Sequence, residues 1–113
     1  MRYVVLIHED EDRYRTVDAA TRAGYHRGHE AFVAAAAAAG VTVVAGEALA
    51  GVASARTVRE TDGTHVVTDG PSTETTEPLG GFYLLDAPDE RTLVDLVGLL
   101  PETTHEIRAC LQP

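Results

Sequence analysis

The stretch "RYVVLIH" at residues 2–8 is rich in the β-branched and aromatic side chains that favour a strand, and the acidic run "EDED" that follows ends it. Its apolar residues occupy both registers of a strand: Tyr3, Val5 and Ile7 in one, and Val4 and Leu6 in the other. A strand that is apolar on both faces needs cover on both faces. The stretch therefore predicts a strand within a sheet that is covered on each side.

A long helix is predicted from Asp18 to Ala39. Asp18 is suited to cap its N-terminus, seven of the nine residues from 31 to 39 are alanine, and Gly40 supplies the stop. The inner stripe of this helix follows spacings of three and four: Tyr25, His29, Phe32, Val33 and Ala36. His29 is therefore expected to point where the apolar residues point.

Further strands, a hairpin and a second helix follow. The Asp-Gly pair at 62–63 separates two β-rich runs and indicates a two-residue hairpin loop. Such a loop pairs Val58 with Val67 and Glu60 with His65 on one face. The predicted elements are a strand at 41–49, hairpin strands at 55–60 and 64–68, a strand at 80–86, a helix at 86–100 and a strand at 104–112.

The second helix has acids and a proline in its first turn and Pro101 as its end. Its apolar face consists of Leu93, Leu96, Val97 and Leu100. The order strand, helix, strand, hairpin, strand, helix, strand predicts a single α+β domain over residues 1–113, a ferredoxin-like split βαβ fold with an added β-hairpin. Two helices cover one face of such a sheet, so a second copy of the chain is expected to cover the other, as a homodimer.

The charge pattern excludes several functional classes. The net charge is −9, and no basic cluster is present to bind a phosphate backbone, so no nucleic-acid partner is expected. All nine basic residues are arginine, and the absence of lysine excludes Schiff-base chemistry, a pyridoxal-phosphate enzyme and a P-loop. The absence of lysine therefore removes whole classes of reaction.

Cysteine usage and hydropathy suggest a compartment. A single cysteine, Cys110, rules out an internal disulfide and a cysteine-rich zinc site. The opening residues lack the apolar core of a signal peptide, and no apolar run approaches the roughly 18 residues of a membrane helix. We therefore expect a cytoplasmic protein without a membrane partner.

Three segments together resemble the YCII-related proteins, within the group marked by an Asp-Gly-Pro-Phe (DGPF) motif. They are "RYVVLIHEDE" (2–11), "HEAFVAAAAAAGVTVVAGEAL" (29–49) and "TVRETDGTHVVTDGPSTETTEPLGGFYLLD" (57–86). The resemblance covers nearly the whole chain and implies ferredoxin-like domains that associate as dimeric α+β barrels. It also implies acid/base catalysis by a histidine and an aspartate, which fall here on His29 and Asp69.

The chain departs from the motif of this family at three positions. Ser72 stands where phenylalanine is usual, Thr76 where lysine is common and Pro78 where glutamine is common. Loss of the aromatic ring and of the ammonium group opens the expected pocket and removes a positive charge from it. If catalysis in this group depends on the lysine, this chain, with Thr76 in its place, is not catalytic.

Each candidate site residue has a structural interpretation beside the functional one. His29 is either a core histidine bonded to a backbone carbonyl or water, or a general acid/base whose pKa is set by burial and a nearby carboxylate. Asp69 either accepts hydrogen bonds within its own turn or orients His29. Tyr25, Glu47 and Ser72 are predicted to line the substrate pocket, where Gly46 permits a close approach to the backbone.

The sequence contains a weak metal-binding pattern. His26 and His29 lie three residues apart, and Glu30 and Glu47 are the carboxylates that would complete a set. Zinc requires three or four convergent ligands, and the pattern supports only two, so we expect no metal and no cofactor.

The sequence leads to three hypotheses about function. The first is a cofactor-independent acid/base enzyme of lyase, isomerase or cyclase type that acts on a small organic molecule through His29 and Asp69. The second is a non-catalytic protein of the same dimeric fold that binds a small molecule or a regulatory partner. The third is a structural dimer without a pocket, in which His29 and Asp69 lie apart.

Overall fold

A computed structural model describes residues 1–112 of the 113. Its strands are β1 (Arg2–His8), β2 (Thr42–Ala48), β3 (Arg56–Thr61), β4 (Thr64–Asp69), β5 (Leu79–Asp86) and β6 (Thr104–Ala109). Its helices are α1 (Glu11–Thr16), α2 (Ala19–Ala38) and α3 (Glu90–Val97), with a short 3-10 turn at Val52–Ser54.

The main sheet is antiparallel, with the strand order β2-β5-β1-β6. The crossovers from β1 to β2 and from β5 to β6 run through α2 and α3, which is the split βαβ arrangement predicted from the sequence. Strand β1 lies inside the sheet, where Val5 is aligned with Tyr83 on β5 and with Ile107 on β6. The ferredoxin-like α+β fold is thereby confirmed.

The hydrophobic core lies between this sheet and the helices α2 and α3. One register of β1 supplies Tyr3, Val5 and Ile7, all of which are buried. The largest fully buried side chains are Phe32, Leu85, Leu93 and Val5. Each of these stabilises the fold by roughly 1.5–3 kcal/mol relative to an exposed side chain.

Helix α2 begins and ends where the sequence indicates. The Asp18 carboxylate accepts a hydrogen bond from the Thr21 amide, and Gly40 follows the helix with a φ of 75°. Phe32 and Ala36 are buried as predicted, whereas Val33 is 44% exposed. The inclusion of Val33 in the inner stripe was wrong, because one step from Phe32 turns the helix by about 100°.

Helix α1 is absent from the predicted elements. The Asp10 carboxylate caps it by accepting from the amides of Asp12 and Arg13, and acids occupy its first turn. Its length of six residues leaves no apolar periodicity to reveal it. Helix α3 is also shorter than predicted, because Asp89 caps it and it ends before Gly98.

The predicted hairpin is confirmed in register. Strands β3 and β4 pair Val58 with Val67 and Glu60 with His65. Both turn residues have positive φ, 50° at Asp62 and 76° at Gly63, as a two-residue loop of this twist requires. The hairpin forms a sheet of its own, and every residue of β4 is exposed.

The second face of the main sheet is uncovered in the single chain. The apolar residues Val4, Leu6, Phe82 and Leu84 are only half-buried there. The smallest extent of the molecule is 17 Å, which matches one sheet and one layer of helices. Within residues 1–112, no helix has both the length and the hydropathy to span a membrane.

Close packing at Gly46 gives the first prediction. A Cβ atom at Gly46 would lie 2.7 Å from Cδ1 of the Tyr83 ring, so we expect Gly46→Ala to destabilise the fold by about 1–3 kcal/mol. At Gly24 on α2 the nearest atom to such a Cβ is 3.5 Å away on the Arg27 side chain, so Gly24→Ala is expected to stabilise the helix by about 0.5–1 kcal/mol. Urea unfolding of both variants measures the difference, and equal midpoints would contradict this packing.

Candidate active site

A cleft of about 1110 Å³ opens where the end of β1, α1 and the first half of α2 meet the segments around β5. Its polar lining includes Glu9, Tyr25, His29, Glu47, Tyr83 and Glu102. Apolar side chains from Ile7, Leu49 and Val52 complete the wall. A concave, mostly apolar space with a few convergent polar groups is typical of a small-molecule site.

His29 makes two short hydrogen bonds at the wall of this cleft. Its Nδ1 lies 2.7 Å from the Tyr83 hydroxyl oxygen, and its Nε2 lies 2.6 Å from Oε2 of Glu102. The His29 side chain is 29% exposed and the Glu102 side chain 11%. His29 therefore joins a tyrosine and a largely buried carboxylate into one network.

A glycine allows Glu102 to reach His29. A Cβ atom at Gly28 would lie 3.0 Å from Cδ of Pro101 and 3.3 Å from the carbonyl oxygen of Leu99. Because Gly28 has no side chain, α2 can lie close to Pro101 in the segment after α3. The residues that follow these two, His29 and Glu102, are then close enough to form a hydrogen bond. This contact between Gly28 and Pro101 is a packing reason for a glycine within the helix.

Tyr83 is held by contacts on its ring. Phe32 stacks against it with a centroid distance of 4.9 Å and an interplanar angle of 30°. Gly46 leaves room on β2, since a Cβ there would contact the ring. Stacking of this kind fixes the ring and therefore the position of its hydroxyl.

Glu102 is ionised in spite of its burial. Burial acts to raise the pKa of this carboxyl, but hydrogen bonds from His105 and His29 and the charge of His29 outweigh it, and the pKa falls from 4.5 to about 2. The His105 contact, from Nε2 to Oε1, is the longer one at 3.4 Å. Glu102 is therefore an acceptor of hydrogen bonds from both imidazoles.

The charge on Glu102 fixes the directions of the hydrogen bonds. An ionised carboxylate only accepts, so Nε2–H of His29 donates to Glu102. In the neutral imidazole Nδ1 is then the acceptor, and the Tyr83 hydroxyl donates to it. Both ring nitrogens of His29 already have hydrogen-bond partners. The Tyr83 oxygen is therefore the atom of this network that can still accept a hydrogen bond from a ligand in the cleft.

Burial, and to a smaller extent the charge of Glu102, raise the pKa of Tyr83. Near neutral pH the side chain is therefore a hydroxyl group rather than a phenolate. This hydroxyl can both donate and accept, which suits a proton relay between a ligand and His29.

The predicted pocket residues divide into two groups. His29, Tyr25 and Glu47 line the cleft. Asp69 lies at the end of β4, where its carboxylate is 86% exposed and forms an ion pair of 3.1 Å with Arg56. Ser72 is exposed, and its carbonyl oxygen accepts a hydrogen bond from Arg59.

Asp69 and Ser72 are therefore not among the residues that line the cleft of their own chain, and β4, which ends at Asp69, belongs to a sheet separate from the main one. Within one chain, Glu102 takes the place predicted for Asp69 as the carboxylate that contacts His29. The Thr76 and Pro78 positions, where the chain departs from the motif, do line the cleft.

The residues weighed as metal ligands do not converge. Of the described residues 1–112, no three histidine, cysteine, aspartate or glutamate side chains are placed to hold a metal ion. His29 instead uses its two nitrogens for Tyr83 and Glu102.

The chain matches the model of a known family. A model of the family described as "YCII-related domain" matches residues 1–109. No curated protein matches the chain significantly.

The pKa of Glu102 gives a prediction of pH-dependent stability. Because the folded-state pKa of about 2 lies below the ordinary 4.5, the stabilisation is fully present above pH 4.5 and is lost as the pH falls toward 2. Above this range we expect Glu102→Gln to lower the free energy of unfolding by on the order of 3 kcal/mol, and the gap to the wild type to close in acid. Chemical unfolding of both proteins at a series of pH values measures this difference in the free energy of unfolding.

The matched control is Glu60→Gln on the exposed strand β3, which is expected to stay within about 0.5 kcal/mol of the wild type at each pH. A gap for Glu102→Gln that is the same at pH 2 and at neutral pH would show that the Glu102 charge does not stabilise the fold.

Proposed function

The chain belongs to the YCII-related domain family, and from this premise we propose that its cleft catalyses cofactor-independent proton transfer on a small organic molecule. The reaction is an elimination, an isomerisation or a cyclisation. The observation that carries the proposal is the position of His29 between the Tyr83 hydroxyl and the Glu102 carboxylate at the wall of the cleft.

In the proposed mechanism Tyr83 contacts the substrate and His29 acts behind it. The substrate gives a proton to the Tyr83 oxygen as the Tyr83 hydroxyl proton moves to Nδ1 of His29. Glu102 stabilises the imidazolium that forms, because its carboxylate already accepts a hydrogen bond from Nε2. The proton returns along the same path to another atom of the substrate in an isomerisation or cyclisation, or to the leaving group in an elimination.

A second candidate function is binding without turnover, as a small-molecule sensor or a regulatory partner protein. The observation that favours it is the full occupation of both ring nitrogens of His29 by groups of the same chain. A histidine bonded in this way holds the cleft in shape whether or not a proton moves.

We further propose that the chain acts as a cytoplasmic homodimer. The support is the half-buried apolar set on the second face of the main sheet, which includes Leu6 and Leu84. A flat apolar face of this kind is complementary to a copy of itself about a two-fold axis.

The catalytic proposal is tested by exchange of substrate protons with D2O, followed by NMR over a panel of small ketones, lactones and unsaturated acids. For any compound that is turned over, His29→Ala is expected to lower the rate by at least about 100-fold, because a general acid/base is lost. Tyr83→Phe is expected to have an effect of the same order, since it keeps the stacked ring and removes only the hydroxyl.

The control for this assay is His26→Ala, which removes an imidazole from the same helix and the same cleft but leaves the contacts of His29 in place. Unchanged turnover in His29→Ala would end the catalytic proposal. Binding of a compound without exchange or product would favour the second candidate.

The dimer is tested by sedimentation equilibrium. The wild-type chain is expected to sediment at twice the chain mass, and Leu84→Glu to weaken the dimer by about tenfold or more, because it places a charge in the interface. Val94→Glu on the outer side of α3 is the control, since Val94 is exposed away from the sheet. A wild-type monomer, or a Leu84→Glu variant as dimeric as the control, would contradict the proposed interface.

A further inference from the structure

The cleft next to His29 is acidic. Among the described residues that line it are one guanidinium, that of Arg15, and six carboxylates. The six acids are Glu9, Asp10, Glu11, Asp12, Glu47 and Glu102. Such a lining favours a ligand that carries positive charge and disfavours an anion.

Several of these carboxylates already have partners within the chain. Asp10 caps α1, and Glu11 accepts a hydrogen bond of 2.8 Å from the Val52 amide. Asp12 forms an ion pair with Arg15, and Glu102 is bonded to the histidines. These carboxylates stabilise the structure around the cleft, and their charges make the electrostatic potential in the cleft more negative.

Glu9 differs from the other acids. It follows β1 at the cleft wall and is 8% exposed. Its Oε2 accepts a hydrogen bond of 3.2 Å from the Tyr25 hydroxyl, but its Oε1 is buried and has no hydrogen-bond partner within residues 1–112. Because buried polar groups are nearly always bonded, Oε1 is an acceptor that lacks its donor, and a ligand that supplies the donor must displace the groups that close Oε1 off from solvent.

Aromatic rings lie beside this carboxyl. Tyr25 bonds to Glu9 directly, and the Tyr14 ring lies 5.3 Å from the Tyr25 ring at an angle of 55°. Both rings line the cleft, and a tyrosine face attracts a cation. The guanidinium of Arg22 already lies over the Tyr14 ring at 5.9 Å, which is the same interaction within the chain.

We propose that the cleft binds a small molecule bearing a protonated amine, with its ammonium group donating to the Glu9 carboxyl beside the Tyr25 ring. The apolar part of the molecule then contacts Ile7, Leu49 and Val52 and extends toward Tyr83. This inference rests on the proposed function in one respect, that the cleft is the ligand site, and it names the ligand class. A metal ion bound to the Glu9 oxygen is disfavoured, because no three ligands converge among residues 1–112.

The test compares three probes of similar shape and different charge: phenethylammonium, 2-phenylethanol and 3-phenylpropionate. Calorimetry and amide NMR shifts give the affinities for the full chain near neutral pH. We expect the ammonium to bind at least about tenfold more tightly than the alcohol, and the carboxylate more weakly than either. Equal affinities for the three probes, or no binding of the ammonium, would overturn the proposal.

Glu9→Gln retains the shape of the side chain and removes its charge, so it is expected to abolish the preference for the ammonium over the alcohol. Glu60→Gln on the hairpin removes one charge at a distance from the cleft and is expected to leave the preference unchanged. The same preference in both variants would overturn the role of Glu9. If Glu9→Gln does not fold, the comparison of probes on the wild type still decides the ligand class.

The experiment separates this inference from the catalytic proposal. His29→Ala removes the proposed base but leaves Glu9 and Tyr25 in place, so it is expected to keep the ammonium preference. Loss of turnover with retained preference supports both proposals. If the preference for the ammonium is retained but turnover does not depend on His29, only the catalytic proposal is contradicted. If the preference for the ammonium is absent, only the proposed ligand class is contradicted.

Discussion

One carboxylate, that of Glu102, sets the arrangement of the hydrogen bonds around His29. Burial favours its neutral form, yet hydrogen bonds from two imidazoles outweigh burial and keep it ionised. Because it is ionised, Nε2 of His29 carries a proton and donates to it, and in the neutral form of the imidazole Nδ1 accepts from Tyr83. Removing either partner of so buried a pair leaves a charge or a polar group without compensation, which costs more than the pair itself contributes.

Local patterns were sufficient for most of the fold. The Asp-Gly pair at 62–63 predicted both the hairpin and its register, since a two-residue loop leaves no freedom in the pairing of its strands. The apolar residues in both registers of β1 predicted cover on both faces of the sheet, and within one chain α2 and α3 cover the face of Tyr3, Val5 and Ile7. Helix α1 was missed because six residues with no buried side chain carry no apolar period, although Asp10 and the acids after it are a capping signal.

The candidate site was predictable only in part. The helical period alone brought His29 and Tyr25 to the cleft. Glu102 reaches His29 through a contact between Gly28 and Pro101, which are 73 residues apart in the chain, and no local pattern specifies such a pair. Asp69 was expected at the site from a motif, but within one chain its exposed carboxylate pairs with Arg56 and does not line the cleft, a placement that a local turn motif does not specify.

The hairpin of β3 and β4 is separate from the main sheet, whose four strands pair without it. β2 and β5 pair directly with each other, so the residues between them are not needed to set the register of the main sheet. None of the described residues of β3 or β4 lines the cleft. A longer turn at the exposed Asp62-Gly63 tip is therefore expected to cost the core little and to leave the geometry of the cleft unchanged.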